Sequence, residues 1–237
     1  MDKEINRDIL FYSHLGLGDN ISCNGIVHYL AEKYKKNIYV VCKENNFKNL
    51  SFLYKDFDFI HPVFINESIA SEAQAVQKIA KDNNLELVRT LISVYNDVPW
   101  DADFYRQLGI DYNVKFDYAR LPIIENEEEI ISNVLKKHGI SEDQDFAFVH
   151  DDPQRGLTFN YNTYLPEVCN QPDLNVFEMS CILKKATELH MMGSSLICIA
   201  EVLKLPLSHQ RAFFYDIRSG ADGTINISNK ENWKYYG

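Results

Sequence analysis

Short apolar runs alternate with segments of helical period along most of this 237-residue chain, which favours a parallel sheet with helices on both faces. Ile9-Leu-Phe-Tyr-Ser-His14 reads as a first buried strand. Leu15-Gly-Leu-Gly-Asp19 follows, and then a helix in which Ile21, Ile26, Val27, Leu30 and Ala31 recur at helical spacing. Further strands are expected at 37–42, within 57–64 and at 85–93, with an amphipathic helix over 68–82. Residues 99–122 break the rhythm with an aromatic, irregular stretch. A helix over 125–138 then places Glu early and Lys late, which suits the helix dipole, and Gly139 ends it. Beyond it come a strand at 145–150, a polar loop at 151–162 and a helix at 175–186. A short strand at 188–191, a Gly193-Ser-Ser195 turn, a helix at 196–203 and a last strand at 213–215 complete the series. The expected organisation is an N-terminal lobe over 1–120, a linking helix over 121–143 and a small C-terminal lobe over 144–237.

Composition narrows the function. Hydrophobic residues at 46% and aromatic residues at 13% are ample for a core. A formal net charge of −10 argues against nonspecific nucleic-acid binding, which needs Lys and Arg to neutralise phosphates. It does not exclude a small anion held by a helix N-terminus and one arginine. The five cysteines are scattered with no C-x-x-C pair, so no zinc site is encoded, and a reducing compartment suits them. The charged N-terminus is a poor signal peptide, and the longest apolar run, Ser195–Val202, is too short to span a bilayer. A cytoplasmic protein without a transmembrane segment is expected, one whose work at a membrane face stays open.

Three segments carry candidate chemistry. Gly16, Gly18 and Asp19 lie between the first strand and its helix, where glycines let backbone N–H groups approach an anion. A tight turn capped by Asp19 or Asn20 accounts for the same residues. The full G-x-G-x-x-G fingerprint is absent because Ile21 stands at its third glycine, which counts against a dinucleotide-dependent oxidoreductase. His150-Asp-Asp-Pro-Gln-Arg-Gly156 follows a strand, so Arg155 could clamp a phosphate, while Asp-Asp-Pro equally nucleates a surface turn. His190 and Gly193-Ser194-Ser195 close a later strand, and the serines suit either a helix cap or a diphosphate.

Taken in order, these pieces resemble the heptosyltransferase-like group of GT-B-fold glycosyltransferases. The likeness runs from strand–Gly-Leu-Gly-Asp–helix through Phe148-Val-His-Asp-Asp-Pro-Gln-Arg-Gly156 to Asn175-Val-Phe-Glu, Gly193-Ser-Ser-Leu and Ala200-Glu-Val-Leu203. Phe104-Tyr-Arg-Gln-Leu-Gly-Ile110 is similar to an acceptor-side loop of the group. The resemblance implies an α/β protein of two Rossmann-like lobes with parallel sheets and an interlobe cleft. It implies transfer of a sugar from a nucleotide-sugar donor to a saccharide acceptor, with no obligatory metal and no cofactor. Asp19 falls on the group's general base. Gly16, Gly18, His150, Arg155, His190, Gly193, Ser194 and Ser195 would bind the nucleotide sugar. A non-catalytic nucleotide-binding protein on the same fold is the alternative.

The chain departs from the group at the late turn, where Gly193-Ser-Ser195 and Cys198 replace Asp-Thr-Gly and a following His. A metal-dependent transferase would want Asp-x-Asp. Asp56-Phe-Asp58, Asp101-Ala-Asp103 and Asp143-Gln-Asp145 fit that pattern, as chance allows in an aspartate-rich chain. Trp100, Tyr105 and Tyr112 suit a sugar-stacking surface or, more simply, a core.

Overall fold

A computed structural model of the protein describes residues 4–66, 68, 71–91, 99–205, 211–217 and 233–236. The chain divides into two compact units, Met1–Pro122 and Ile123–Gly237.

The first unit carries β1 (Ile9–Tyr12), α1 (Leu17–Ser22), α2 (Asn24–Tyr34), β2 (Ile38–Lys43), α3 (Glu44–Leu53), β3 (Ile60–Ile65), α4 (Glu72–Asp82), β4 (Glu86–Arg89), α5 (Ala102–Gln107) and α6 (Val114–Tyr118). Its sheet is wholly parallel in the order β3-β2-β1-β4. Central strand β1 is buried at all four residues, as a strand covered on both faces must be. Against one face α4 lays Val76 and Ala80, one turn apart, onto Leu10, Tyr12, Val41 and Ile65. Helix α2 buries Ile26, Val27 and Leu30 and stops where Lys35 turns left-handed at φ 52°.

The aromatic middle is ordered rather than irregular. It builds α5 and α6, buries Phe104 and Tyr105 completely, and sends the Tyr105 hydroxyl to the Ser22 carbonyl at 2.8 Å. Helix α6 touches α2 backbone to backbone. A Cβ on Gly25 would stand 2.7 Å from the Val114 carbonyl oxygen and 2.8 Å from Lys115 Cα. Beneath that contact Lys115 and Asp101 form an ion pair with both side chains almost fully buried, and the Tyr112 hydroxyl donates to Asp101 at 3.0 Å.

The second unit carries α7 (Glu127–Lys137), β5 (Ala147–His150), a 3-10 turn (Pro153–Arg155), β6 (Glu167–Cys169), α8 (Met179–Lys185), β7 (Glu188–Met192), α9 (Ser195–Val202), β8 (Arg211–Tyr215) and β9 (Lys234–Tyr236). Its sheet is also parallel, in the order β6-β5-β7-β8-β9. Helix α7, expected as a linker within 121–143, packs on α8 inside this unit. Strands β6 and β9 and helix α3 had no counterpart in the expected pattern, and the helix expected over 175–186 begins only at Met179. Ile69 and Ser93, which the expected helix and strand include, lie outside the described residues.

Candidate functional site

In parallel α/β sheets, ligands collect beyond the carboxyl ends of the strands, where the strand order reverses direction. The first sheet reverses between β1 and β4, and the second between β5 and β7. The loops after β1, β5 and β7 are the ones that carry the candidate residues.

In the first unit, Asp19 lies in the first turn of α1, just past the carboxyl end of β1. Its side chain is 12% exposed, and His14 Nδ1 donates to its Oδ2 at 2.8 Å. That hydrogen bond raises the His14 pKa above its ordinary value, and burial only partly opposes it. Gly16 is not a strained turn residue, since its backbone is extended at φ −67° and ψ 148°. What it supplies is room: a Cβ there would lie 2.2 Å from Asp19 Oδ2. Its carbonyl also accepts from Asn20 N at 3.1 Å and Asn20 Nδ2 at 3.0 Å, which anchors α1. Gly18 sits within α1 itself.

Other polar groups gather at the same sheet edge, each placed by the end of a strand or the start of a helix. Lys43 ends β2, Arg89 ends β4, Tyr12 ends β1, and Glu72 opens α4. Lys43 Nζ stands 3.2 Å from Glu72 Oε1, with Glu72 almost wholly buried. Burial first, then the Glu72 carboxylate, pushes the Tyr12 hydroxyl up. Glu72 and Lys43 also act on His14, in opposite directions. None of Tyr12, His14, Lys43, Glu72 and Arg89 stands out in the sequence as a site residue. The only available signal was the position of Tyr12, Lys43 and Arg89 at strand ends.

In the second unit, His150 ends β5 and is 8% exposed. Its Nδ1 donates to Asn170 Oδ1 at 2.8 Å, and its Nε2 is buried without a hydrogen-bond partner. Burial lowers its pKa, so the ring is neutral and Nε2 is a bare acceptor. Arg155 belongs to a closed turn: Asp152 and Leu157 bridge each other, Gly156 takes φ +71°, and the exposed guanidinium pairs with Asp152. The Asp-Asp-Pro turn forms, and it leaves the Arg155 guanidinium exposed beside Asp152.

His190 is a correction. It occupies the middle of β7 rather than its end and is 1% exposed. Its Nε2 donates to Glu188 at 3.2 Å and its Nδ1 accepts from the Tyr215 hydroxyl at 2.9 Å, so no nitrogen remains for a phosphate. The ring stacks on Phe213 with centroids 4.6 Å apart, as part of the core. Ser194 is the N-cap of α9, accepting from Leu196 N at 3.1 Å, and Ser195 is the first helical residue after Gly193 and the cap. Asp19, Gly16 and Gly18 thus belong to one unit, while His150, Arg155, Gly193, Ser194 and Ser195 flank the reversal point of the other.

No group of three or more His, Cys, Asp or Glu able to hold a metal occurs among the described residues. Of the Asp-x-Asp pairs, Asp101 and Asp103 are buried in structural ion pairs with Lys115 and Arg106. Four cysteines are buried and Cys169 is exposed. No described helix is long and apolar enough to cross a membrane.

No protein-family model and no curated protein matches the chain. Solved structures do. The glycosyl transferase family 9 from Veillonella parvula DSM 2008 aligns with a TM-score of 0.58 at 8% identity, over 100% of this chain and 88% of that one. The E. coli ADP-heptose lps heptosyltransferase II aligns with a TM-score of 0.56 at 11% identity, over 97% and 90%. The chain has the fold of heptosyltransferase-like glycosyltransferases.

Proposed function

We propose that this chain is a glycosyltransferase that moves a sugar from a nucleoside-diphosphate sugar to a hydroxyl of a saccharide or lipid-linked acceptor, in the cytoplasm and without a metal. The observation that carries the reading is the placement of Asp19. Its carboxylate lies at the carboxyl end of the central strand, held by His14 at 2.8 Å, in space kept open by Gly16. As the acceptor oxygen attacks the anomeric carbon and the bond to the diphosphate breaks, Asp19 takes the hydroxyl proton. Lys43 and Arg89 at the same edge would orient the acceptor.

The donor would lie on the second unit, at the reversal point between β5 and β7. Arg155 and the N–H groups that open α9 would take up the charge of the departing diphosphate. His150 would donate from Nε2 to a phosphate oxygen once it carries a proton, which the diphosphate's charge favours. His190 has no part in this, because its hydrogen bonds are already made within the core.

The test is thermal unfolding with UDP, GDP, ADP, CDP, dTDP and NAD. At 100 times its dissociation constant, a ligand stabilises by about 2.7 kcal/mol. A shift with one of these names the donor class. No shift with any diphosphate, or a shift with NAD alone, would refute the donor assignment.

A further inference from the structure

A pocket of about 570 Å³ opens on the first unit, away from the edge that carries Asp19. Its lining comes from residues that precede strands: Asp8 before β1, Asn37 before β2, and Phe57 and Phe59 before β3. The last turns of α2, with Tyr118 and Arg120, close it. It therefore lies at the amino ends of the strands, the opposite end of the sheet from the proposed acceptor site.

The pocket's charge runs against that of the protein. Lys35, Lys36 and Arg120 meet only Asp8 and Glu32 there, in a chain with a formal net charge of −10. Asp8 is already engaged by Asn37, whose N and Nδ2 both donate to it at 3.1 Å. Lys35 and Lys36 form no ion pair among the described residues. Arg120 is held by its Nη1, which donates to the Asp117 and Ala119 carbonyls at 2.7 and 2.9 Å, and its Nε and Nη2 remain for an outside acceptor.

The pocket's wall is aromatic. His28 meets Phe57 edge to face with ring centroids 4.5 Å apart, and Phe59 is 43% exposed. His28 itself is 7% exposed, and its Nε2 is buried with no hydrogen-bond partner. Burial, followed by the charge of Arg120, lowers its pKa to about 4, so the ring is neutral at physiological pH. His28 lines the pocket, so a bound ligand is one group that could supply the missing partner of its Nε2.

We propose that this pocket binds a small dianion carrying an aromatic ring, of the aryl phosphate class. The phosphate would lie against Lys35, Lys36 and Arg120, since a guanidinium with two ammonium groups suits a doubly charged tetrahedral anion. The ring would pack on Phe57, Phe59 and Tyr118, and His28 would hydrogen-bond the ligand. This edge carries none of the residues assigned to sugar transfer, so the site is separate from the proposed chemistry.

The test is calorimetric titration of the full chain with phenyl phosphate, inorganic phosphate and phenol, with the His28 ring resonances followed by NMR. The key variant is Lys35→Asn with Lys36→Ala, in which Asn keeps the left-handed backbone that Lys35 adopts. Lys35 is exposed and Lys36 half-buried, and an unchanged thermal melt confirms folding. Phenyl phosphate is expected to bind and shift the His28 resonances, and the double variant to weaken it about tenfold or more. Phe59→Ala should weaken phenyl phosphate without weakening inorganic phosphate. Binding that leaves His28 unmoved, or that persists at full strength in the double variant, places the ligand elsewhere and overturns the proposal. Inorganic phosphate binding as tightly as phenyl phosphate, or no binding of phenyl phosphate, overturns it too.

Discussion

Gly16→Ala is a small change with a large expected consequence. Gly16 has ordinary extended backbone angles, so alanine introduces no backbone strain there. The conflict is with one side chain. The new methyl group would stand 2.2 Å from Asp19 Oδ2, where ordinary contact begins near 3.4 Å, so the carboxylate must retreat by about 1.2 Å. It does so by leaving its rotamer and its 2.8 Å bond to His14. The loss of stability should stay below about 1 kcal/mol, because His14 is largely exposed and exposed pairs contribute little. The loss of turnover should be about 10²-fold, the cost of misplacing a reacting group by roughly 1 Å. The assay is steady-state sugar transfer beside an NMR titration of His14, whose raised pKa should fall back toward its ordinary value. In an Asp19→Ala background the same alanine should cost nothing more, since the group it displaces is gone. Wild-type turnover and an unchanged His14 titration in Gly16→Ala would refute the reasoning.

The remaining predictions concern pH, ligand protonation and packing. His14 has a raised pKa, so the His14–Asp19 pair contributes stability below pH 6.5 and loses it as pH rises through the folded-state value. Transfer should run the other way, rising through that value as Asp19 loses its cationic partner, and a pH–rate profile flat above pH 6 would contradict this. His150 is neutral through burial, so a nucleoside diphosphate should bind with uptake of a proton. That uptake is measurable as a buffer-dependent heat and should vanish in His150→Phe. Lys115→Met takes the opposite charge away from the buried Asp101 carboxylate and should destabilise the first unit by about 3–5 kcal/mol in urea unfolding. Gly25→Ala should cost about 1–3 kcal/mol by forcing α2 off α6.

How much of this was legible in the sequence depends on whether a residue's role is local. The strands at 9–12, 38–43 and 147–150 announce themselves as largely apolar runs, because parallel strands buried on both faces have little polar side to show. Strands β6 and β9 have three residues each, too few for any pattern, and are strands only because a neighbour completes them. Helix α3 escaped notice because its polar Glu-Asn-Asn start hides a short apolar stripe at Leu50 and Leu53. Asp19 could be found from its position after a strand, and Gly16 too, though for a different reason than the one it serves. A glycine after a strand suggests a ligand's approach, whereas here the space is filled by Asp19 itself. His190 misled because its partners, Glu188 and Tyr215, depend on pairing β7 with β8, which no local pattern encodes. Lys43 and Arg89 reach one edge only when β2, β1 and β4 align their carboxyl ends, and Glu72 joins them from the start of α4, so nothing near any one of them in the chain points to the others.

The most direct test of the central claim is sugar transfer by the wild-type chain and by Asp19→Asn, with nucleotide affinity measured on both. The account predicts turnover of one nucleoside-diphosphate sugar by the wild type and a loss of about 10²–10⁴-fold in Asp19→Asn. Nucleotide affinity should be unchanged, because Asp19 is assigned to the acceptor. Equal turnover by the two proteins, or no transfer and no donor hydrolysis by a wild-type chain that binds the nucleotide, would contradict it.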